Sequence, residues 1–320
     1  MTMWTTRKTG QDEMGGCFAM KRVLVTGGTV FVSKYTAAYF VARGYDVYVL
    51  NRNSRPQVPG VTLIEADRHQ LDPSFSAYAF DAVIDVTAYN EADIRDLAAR
   101  LHPFGTYIMV SSSAVYPETG AQPFREEAEL GENTYWGKYG LDKIGAESAL
   151  LKLVPDAYIL RPPYLYGPMN NVYREAFVFD CALADRRFCL PRDGQMKLQF
   201  FHVRDLCRAF EKIIESRPDQ HIYNVGNDRP VTIREWVEMC YACAGKTPAF
   251  DHVAEDIAQR EYFPFYDYEY CLDVKKQGQL LPELIDLQEG LRESFAWYQE
   301  HADEVRKKPL LEYIDTVIRP

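Results

Sequence analysis

The feature that most constrains the fold is residues 23–33, where a short apolar run ends in two glycines. The run covers residues 23–25, Gly27 and Gly28 follow it, and apolar side chains then recur at helical spacing from Phe31 onward. An apolar run, paired glycines and a helical period predict a strand, a tight turn and a helix in immediate succession.

A turn of this kind lets the backbone approach a pyrophosphate, and the following helix presents free N–H groups and the positive end of its dipole. The segment is therefore a candidate phosphate-binding turn of a dinucleotide-binding fold. It departs from Gly-x-x-Gly-x-x-Gly spacing, because Val30 and Ser33 stand at the second and third glycine positions. We expect these side chains to loosen the hold on a cofactor. A purely structural strand-helix turn is the alternative.

Further apolar runs alternate with helical patterns, and they lie at residues 46–52, 61–65, 80–86 and 105–110. Such alternation predicts a parallel sheet covered on both faces. A later run, 221–226, is expected to return to this sheet, and a capping-box pattern at Thr232 and Glu235 predicts a helix start. The predicted fold is α/β, a Rossmann-type doubly wound parallel sheet with a smaller, interleaved C-terminal substrate lobe.

Composition bounds the class of protein. The chain has 320 residues, of which 47% are hydrophobic, enough for one large domain or two modest ones. Its net charge of −10 disfavours a broad nucleic-acid surface. Seven scattered cysteines predict a reduced, cytoplasmic setting, and no apolar run is long enough for a membrane span.

Cys240 and Cys243 lie within one predicted helix, and we expect no metal. Residues 1–20 are expected to form a poorly ordered extension.

Polar residues follow the second and third predicted strands, where a dinucleotide fold meets the adenosine part of its cofactor. An acidic residue at this position favours NAD, whereas Asn51 and Arg52, with Arg55 following, tilt the choice toward NADP. Asp67, followed by Arg68, is placed to accept a hydrogen bond from the adenine amino group. The expected cofactor is NAD or NADP, with a slight preference for NADP.

Residues suited to proton transfer follow the fifth predicted strand. Serines occupy positions 111–113, at the sheet edge where open α/β folds bind ligands, although a serine-rich loop is the plain alternative. Tyr139 and Lys143 are four residues apart and share one helical face. An ammonium beside a phenol favours the phenolate, so we expect Lys143 to lower the pKa of Tyr139 from about 10.

Together these motifs resemble the extended short-chain dehydrogenases/reductases of the NAD-dependent epimerase/dehydratase superfamily. Matching segments occur at residues 26–29, 67–68, 111–116, 139–143, 161–168 and 201–206. The resemblance implies that Tyr139 is the general acid/base, that Lys143 binds the nicotinamide ribose, and that Ser112 holds the reacting oxygen. We expect the cofactor to contact Gly27, Gly28, Thr29, Phe31, Val32, Asn51, Arg52, Asp67, Arg68, Thr87, Ala88, Tyr89, Lys143 and Pro162.

Within the superfamily, residues 85–89 and 262–267 resemble most closely the chloroplast stem-loop-binding proteins and their bacterial relatives. The resemblance implies an NAD(P)-dependent epimerase or reductase that acts on a hydroxyl or keto group of a sugar or nucleotide sugar. Some plant members of that branch bind RNA. A cofactor-binding protein of RNA-binding type, with little or no catalysis, is therefore the alternative. A homodimer is the family habit.

Departures from the family pattern bear on the substrate. Ser113 and Ala114 replace the acidic pair of sugar 4,6-dehydratases, which argues against water elimination. Leu198 replaces a diphosphate-binding arginine of many nucleotide-sugar epimerases, and Lys197 is the candidate substitute. His202 belongs to a family motif in which it is usually structural. The candidate substrate contacts are Ser113, Tyr164, Asn170, Asn171, Lys197 and Gln199.

The domain organisation follows from these assignments. We expect residues 21–168 and 195–230 to form the dinucleotide-binding domain, and residues 169–194 and 231–320 to form the substrate lobe. The aromatic residues between 262 and 270 are expected to pack inside that lobe, with a cover over the site as the alternative.

Overall fold

The computed structural model describes residues 20–101, 103–254 and 256–319, so residues 1–19 of the predicted extension lie outside the described residues. Thirteen strands are found in this part of the chain: β1 Arg22–Thr26, β2 Asp46–Asn51, β3 Thr62–Glu65, β4 Phe80–Asp85, β5 Phe104–Val110, β6 Tyr158–Arg161, β7 Tyr164–Tyr166, β8 Phe188–Pro191, β9 Lys197–Leu198, β10 Phe200–His202, β11 Ile222–Asn224, β12 Val231–Thr232 and β13 Phe250–Val253.

The α-helices of the same ranges are α1 Phe31–Ala42, α2 Glu91–Ala98, α3 Lys138–Leu153, α4 Glu175–Leu183, α5 Val203–Ser216, α6 Ile233–Cys243, α7 Gln259–Tyr262, α8 Lys275–Leu280, α9 Leu287–His301 and α10 Leu310–Tyr313. A π-helical stretch, Ile314–Ile318, follows α10. Short 3-10 helices cover Arg68–Gln70, Pro73–Ala77, Ser113–Val115 and Ala302–Glu304.

Seven strands form one parallel sheet in the order β11-β6-β5-β4-β1-β2-β3. Successive side chains of a strand point to opposite faces. Val23 and Val25 of β1 accordingly share a core with α1 and α5, whereas Leu24 shares one with α2 and α3. Helices thus cover both faces, which confirms the predicted doubly wound fold.

The chain order along the sheet reverses between β1 and β4, which are neighbours although β2 and β3 separate them in sequence. Open α/β sheets bind ligands outside the carboxyl ends of their strands at such a point. Gly27 follows β1 directly, and Val86 and Thr87 follow β4. The topology therefore places the predicted phosphate-binding turn at the expected ligand crevice.

The second part of the chain packs around its own aromatic core. Phe200 stacks on Trp236 with ring centroids 5.5 Å apart, and Phe265 meets the same indole at 5.1 Å. Tyr262 and Phe263 are also buried, so the predicted internal packing of this segment is confirmed. The predicted return to the main sheet is confirmed by β11, which pairs with β6. The predicted capping box at the start of α6 is also present.

The six cysteines of the described ranges are free, and Cys240 is buried within α6. Among the residues placed by the structure, no helix is both long and apolar enough to cross a membrane. Those residues also contain no group of three His, Cys, Asp or Glu side chains that could share a metal ion.

Candidate active site

A cleft of about 650 Å³ lies at the carboxyl edge of the sheet. Its wall combines the glycine turn, the start of α1, the ends of β4 and β5, and side chains of α3. A side hollow of about 380 Å³ shares Gly27, Thr29, Val30, Thr87 and Tyr89 with the cleft, and continues toward the ends of β2 and β3. The two form one continuous groove across the switch point.

The glycine turn needs its glycines. Gly27 and Gly28 have φ of +89° and +87°, values that residues with a Cβ rarely adopt. A Cβ on Gly28 would lie 2.6 Å from Cγ1 of Val49, and one on Gly27 would lie 2.9 Å from Oγ of Ser33. Asn51 Nδ2 donates to the Gly27 carbonyl at 2.6 Å. The turn is therefore held tightly against the sheet.

The start of α1 is open to an anion. Val30 precedes the helix in an extended conformation, and no side chain of the described residues caps it. The first turn contains no acidic residue, and a helix leaves its first N–H groups without helical partners. Phe31, Val32 and Ser33 line the cleft at this point. A backbone cradle and an uncapped helix start fit the pyrophosphate of a dinucleotide.

A buried carboxylate, Asp85, links the side chains beneath the groove. It accepts hydrogen bonds from Thr26 Oγ1 at 2.7 Å and Tyr107 Oη at 2.6 Å, and forms an ion pair with Arg68 at 2.7 Å. Burial raises the pKa of Asp85, but the Arg68 charge and these hydrogen bonds outweigh it and lower the pKa overall. Thr26 Oγ1 also accepts the Thr87 N–H at 3.1 Å, which fixes the loop after β4.

Lys143 is fixed in the wall of the cleft with 2% of its surface exposed. Its Nζ donates to the carbonyls of Ala88 at 2.6 Å and Val110 at 2.8 Å. Desolvation lowers the pKa of Lys143 to about 8, although Asp85 and Glu147 act in the opposite direction. Lys143 therefore ties the loop after β4 to the end of β5, and its ammonium loses its proton near pH 8 rather than near 10.5.

Tyr139 lies on the same helix face as Lys143, as the spacing predicted, with its ring centroid 5.9 Å from Nζ. The predicted fall in its pKa is not found. Desolvation raises the pKa of Tyr139, with a smaller opposing effect from a hydrogen bond with Ser112. The reason is geometric, because Nζ is directed to two carbonyl oxygens rather than to the phenol oxygen.

The serine loop is anchored by a buried ion pair. Arg161 donates to Glu147 through Nε at 3.0 Å and Nη2 at 2.6 Å, and both side chains are about 3% exposed. Ser111 Oγ also donates to Glu147, so this serine is engaged by the scaffold. All three serines line the cleft. The hydroxyl of Ser111 is committed to Glu147, which leaves those of Ser112 and Ser113 as the candidates for a ligand contact.

The structure gathers most of the predicted site residues in this groove. The cleft is lined by Gly27, Thr29, Phe31, Val32, Thr87, Tyr89, Ser112, Ser113, Tyr139, Lys143, Pro162 and Tyr164. The side hollow is lined by Asn51, Arg52, Asp67 and Arg68. Gly28 and Ala88 line neither hollow: a Cβ on Gly28 would meet Val49, and the Ala88 carbonyl binds Lys143.

Several predicted substrate contacts lie elsewhere. Asn170 is buried and donates to Glu175 at 2.9 Å. Gln199 is buried and holds the Leu272 N–H at 2.8 Å, while Lys197 is exposed on β9. The Asn171 carbonyl accepts a hydrogen bond from the Arg306 N–H, and Leu198 is buried. None of these five residues lines the cleft. Asn170, Asn171, Lys197 and Gln199 were expected at the substrate because they are polar, whereas tertiary packing sets their observed positions.

Of the residues predicted to contact the adenosine part of the cofactor, some are accessible in the side hollow and others already bind groups of the protein. Arg52 and Arg55 are exposed at its rim, where they are accessible to a ligand. Asp67 accepts the His69 N–H at 2.9 Å and thereby caps a short helix. Arg68 is committed to Asp85. Asn51 is committed to the glycine turn.

The cleft also contains residues that no sequence motif indicated. Arg174 and Arg306 line it, together with Trp136. Tyr270 lines it as well, which agrees with the alternative that part of the 262–270 segment covers the site. Arg174 lies six residues beyond Pro168, and Arg306 follows the last long helix, so no local spacing linked them. His202 is buried, and its Nδ1 accepts the Arg204 N–H at 3.2 Å, which supports a structural role.

Comparison with known proteins agrees with this architecture. The sequence profile of the NAD dependent epimerase/dehydratase family matches residues 23–226. The chain is 28% identical over 302 residues to the chloroplast stem-loop binding protein of 41 kDa b of Arabidopsis thaliana, covering 86% of this chain and 78% of that protein.

Two solved structures are similar in fold. A dTDP-glucose 4,6-dehydratase from Bacillus anthracis, in complex with NAD, superposes with a TM-score of 0.72 and 20% identity, covering 91% of this chain and 99% of the other. A UDP-glucose 4-epimerase from Thermotoga maritima, with UDP-glucose, superposes with a TM-score of 0.71 and 19% identity, covering 88% and 99%. With its glycine turn, its parallel sheet and a profile match over more than half its length, the chain belongs to the NAD dependent epimerase/dehydratase family.

Proposed function

We propose that the protein is an NAD(P)-dependent epimerase or reductase that acts on a hydroxyl or keto group of a sugar or nucleotide sugar. The observation that carries the proposal is the convergence of Ser112, Tyr139 and Lys143 in the same cleft as the uncapped start of α1. A protein that only binds nucleic acid has no chemical need for this combination.

In this proposal Tyr139 exchanges a proton with the reacting oxygen of the substrate, while Ser112 orients that oxygen. Because desolvation raises the pKa of Tyr139, the phenol is protonated at neutral pH. This state suits donation of a proton to a keto oxygen. The opposite direction needs the phenolate, which the raised pKa of Tyr139 makes scarce at neutral pH.

The groove fits a dinucleotide. Its pyrophosphate would lie against the glycine turn and the first N–H groups of α1, and Lys143 would hold the nicotinamide ribose. When bound, the nicotinamide supplies the redox step. At the side hollow, no acidic side chain stands at Asn51 and Arg52. We propose a preference for NADP, with Arg52 binding the additional phosphate.

The test is turnover with a panel of sugars and nucleotide sugars in both oxidation states, followed by the absorbance of the reduced nicotinamide and by product stereochemistry. Tyr139→Phe is expected to lower kcat by about 10²- to 10⁴-fold, the usual contribution of positioned proton transfer. Its Kd for NADPH should stay unchanged, because the phenol oxygen takes no part in the proposed phosphate or ribose contacts.

Unchanged turnover in Tyr139→Phe would end the proposed mechanism. The alternative from the sequence is a cofactor-binding protein of RNA-binding type. It would be favoured if the wild-type protein bound RNA in a salt-dependent way and turned over none of the panel. The net charge of −10 weighs against that outcome.

A further inference from the structure

The first turn of α1 is strained at Phe31. This buried residue has φ of +33°, in the left-handed region, which a residue with a bulky side chain seldom adopts and only at a cost in free energy. Val30, at the second glycine position of the fingerprint, is extended, with φ of −138°. The chain therefore enters the helix through a left-handed residue that carries a large side chain, where glycine would be free of strain.

Val30 stands where a pyrophosphate has to lie. Its side chain lines both the cleft and the side hollow. The pyrophosphate of a dinucleotide joins the nicotinamide half, assigned to the cleft, to the adenosine half, assigned to the side hollow, so it crosses the junction between them. A glycine at this position lets the backbone approach the pyrophosphate. The methyl groups of Val30 are placed to keep phosphate oxygens away from the first N–H groups of α1, and hydrogen bonds weaken with distance.

The turn is held in this conformation by its own contacts. Ser33 Oγ donates to the Val30 carbonyl at 2.9 Å, and the Lys34 N–H donates to the same carbonyl at 3.3 Å. Ser33, at the third glycine position, is buried and occupies the space beside Gly27. Because these contacts fix the Val30 carbonyl, the turn does not readily shift to bring its N–H groups closer to a phosphate.

The adenosine end of the groove adds little to the hold on a dinucleotide. Asn51 donates to the glycine turn, Asp67 accepts a backbone N–H of its own loop, and Arg68 is paired with a buried carboxylate. Arg52 remains accessible, but it is exposed at the rim. Contacts to exposed charges are weak because water and salt screen them.

Reduction and epimerisation make opposite demands on cofactor release. In a reduction the keto carbon gains a hydride from the reduced nicotinamide and the keto oxygen gains a proton from Tyr139. The C=O group becomes an alcohol, and the oxidised cofactor has to leave before the next turnover. In an epimerisation the hydride returns to the substrate, and the cofactor can stay bound. The protonated phenol of Tyr139 suits the first reaction.

We propose that Val30, with the strained turn at Phe31, makes the groove hold its dinucleotide loosely, so that NADP(H) exchanges in every turnover and the reaction is a net reduction of a keto group. Only the reaction and its direction rest on the proposed function; the loose hold does not. Val30 is thereby a specificity-determining residue, because it selects an exchanging co-substrate over a retained cofactor.

The test is the Kd and the release rate of NADPH, measured with the full chain by fluorescence titration and stopped flow. The wild type should bind with a Kd of about 1 µM or weaker, as an exchanging substrate does, and lose NADPH on gel filtration. Val30→Gly removes the methyl groups and lets the turn relax, so Kd should fall by about 10-fold or more, mainly through slower release. Val30→Ala keeps a Cβ and should give a smaller gain.

Val317→Gly is the matched control, because it makes the same replacement at an exposed valine outside the groove. Its Kd for NADPH should equal that of the wild type. A wild type that keeps a full equivalent of dinucleotide through gel filtration overturns the inference, as does an unchanged Kd in both Val30 variants.

Turnover provides a separate readout. With a keto sugar or keto nucleotide sugar of the panel, one NADPH should be consumed for each alcohol formed, with the protein in catalytic amount. An epimer formed without net consumption of NADPH overturns the inference and leaves the proposed function standing. If Val30→Gly tightens NADPH but no compound of the panel reacts, the proposed function fails while the loose hold stands.

Discussion

Replacing Asp85 by asparagine tests whether the buried network under the groove holds the site together. The carboxylate is fully buried and faces donors on Thr26, Tyr107 and Arg68. An amide keeps one acceptor and turns an NH₂ group toward those donors, while the Arg68 charge loses its partner. Breaking a buried ion pair from one side costs about 3–5 kcal/mol. Because Asp93 remains 3.9 Å from Arg68, we expect the lower end of that range.

The assay is urea unfolding at neutral pH, with Asp81→Asn as the control. Asp81 lies on the same strand but is exposed, so its replacement should change the free energy of unfolding by about 0.5 kcal/mol or less. Adding Arg68→Met to Asp85→Asn removes the unpaired charge and should restore part of the loss. Equal stability of Asp85→Asn and Asp81→Asn would refute the argument, and so would a double variant no more stable than the single one.

The dependence of stability on pH tests the same contribution of Asp85. The pKa of Asp85 is lowered in the folded state relative to the unfolded value of about 3.9. Its contribution to stability is therefore complete at neutral pH and is lost as the pH falls below about 4. The difference in stability between the wild type and Asp85→Asn should shrink over that acidic range.

Two further predictions concern the cofactor. Lys143 has a pKa of about 8, so its ammonium disappears as the pH rises through that value, and the Kd for NADPH should rise with it. Fluorescence titration should show this dependence in the wild type, whereas in Lys143→Met affinity should be weaker and flat with pH. Arg52→Ala should weaken NADPH by about 10-fold and leave NADH unchanged, measured by competition, because one charge-assisted contact to the additional phosphate is lost. Arg55→Ala is its control. If Arg52→Ala loses no more affinity for NADPH than Arg55→Ala, Arg52 does not bind the additional phosphate.

The sheet and its covering helices could be predicted because each strand is a nearly continuous apolar run between helical patterns. Tyr139 and Lys143 were placed together because their contact depends only on helix geometry. Asn170 and Gln199 were misplaced because the direction of a loop side chain depends on tertiary partners. Arg306 was missed for a related reason, since residues 302–308 reach the cleft through contacts with Lys34 and Asn171, which are remote in sequence.

The lowered pKa expected for Tyr139 shows a further limit of spacing. The four-residue interval brought Lys143 close, but it did not reveal that two backbone carbonyls hold the ammonium. Although 38% of Tyr139 is exposed, desolvation of its phenol then decided the sign of the shift. Whether desolvation or a nearby charge decides a pKa depends on where each polar atom is directed, and only the folded chain shows that direction.

The central claim is that the groove binds a dinucleotide in a catalytically competent way. The most direct measurement is to denature the purified protein, identify any released nucleotide by mass spectrometry, and titrate the protein with NADPH and NADH. We predict released or newly bound dinucleotide, with binding abolished in Gly28→Val because its Cβ would collide with Val49. A folded protein that releases no dinucleotide and binds neither form would contradict the account.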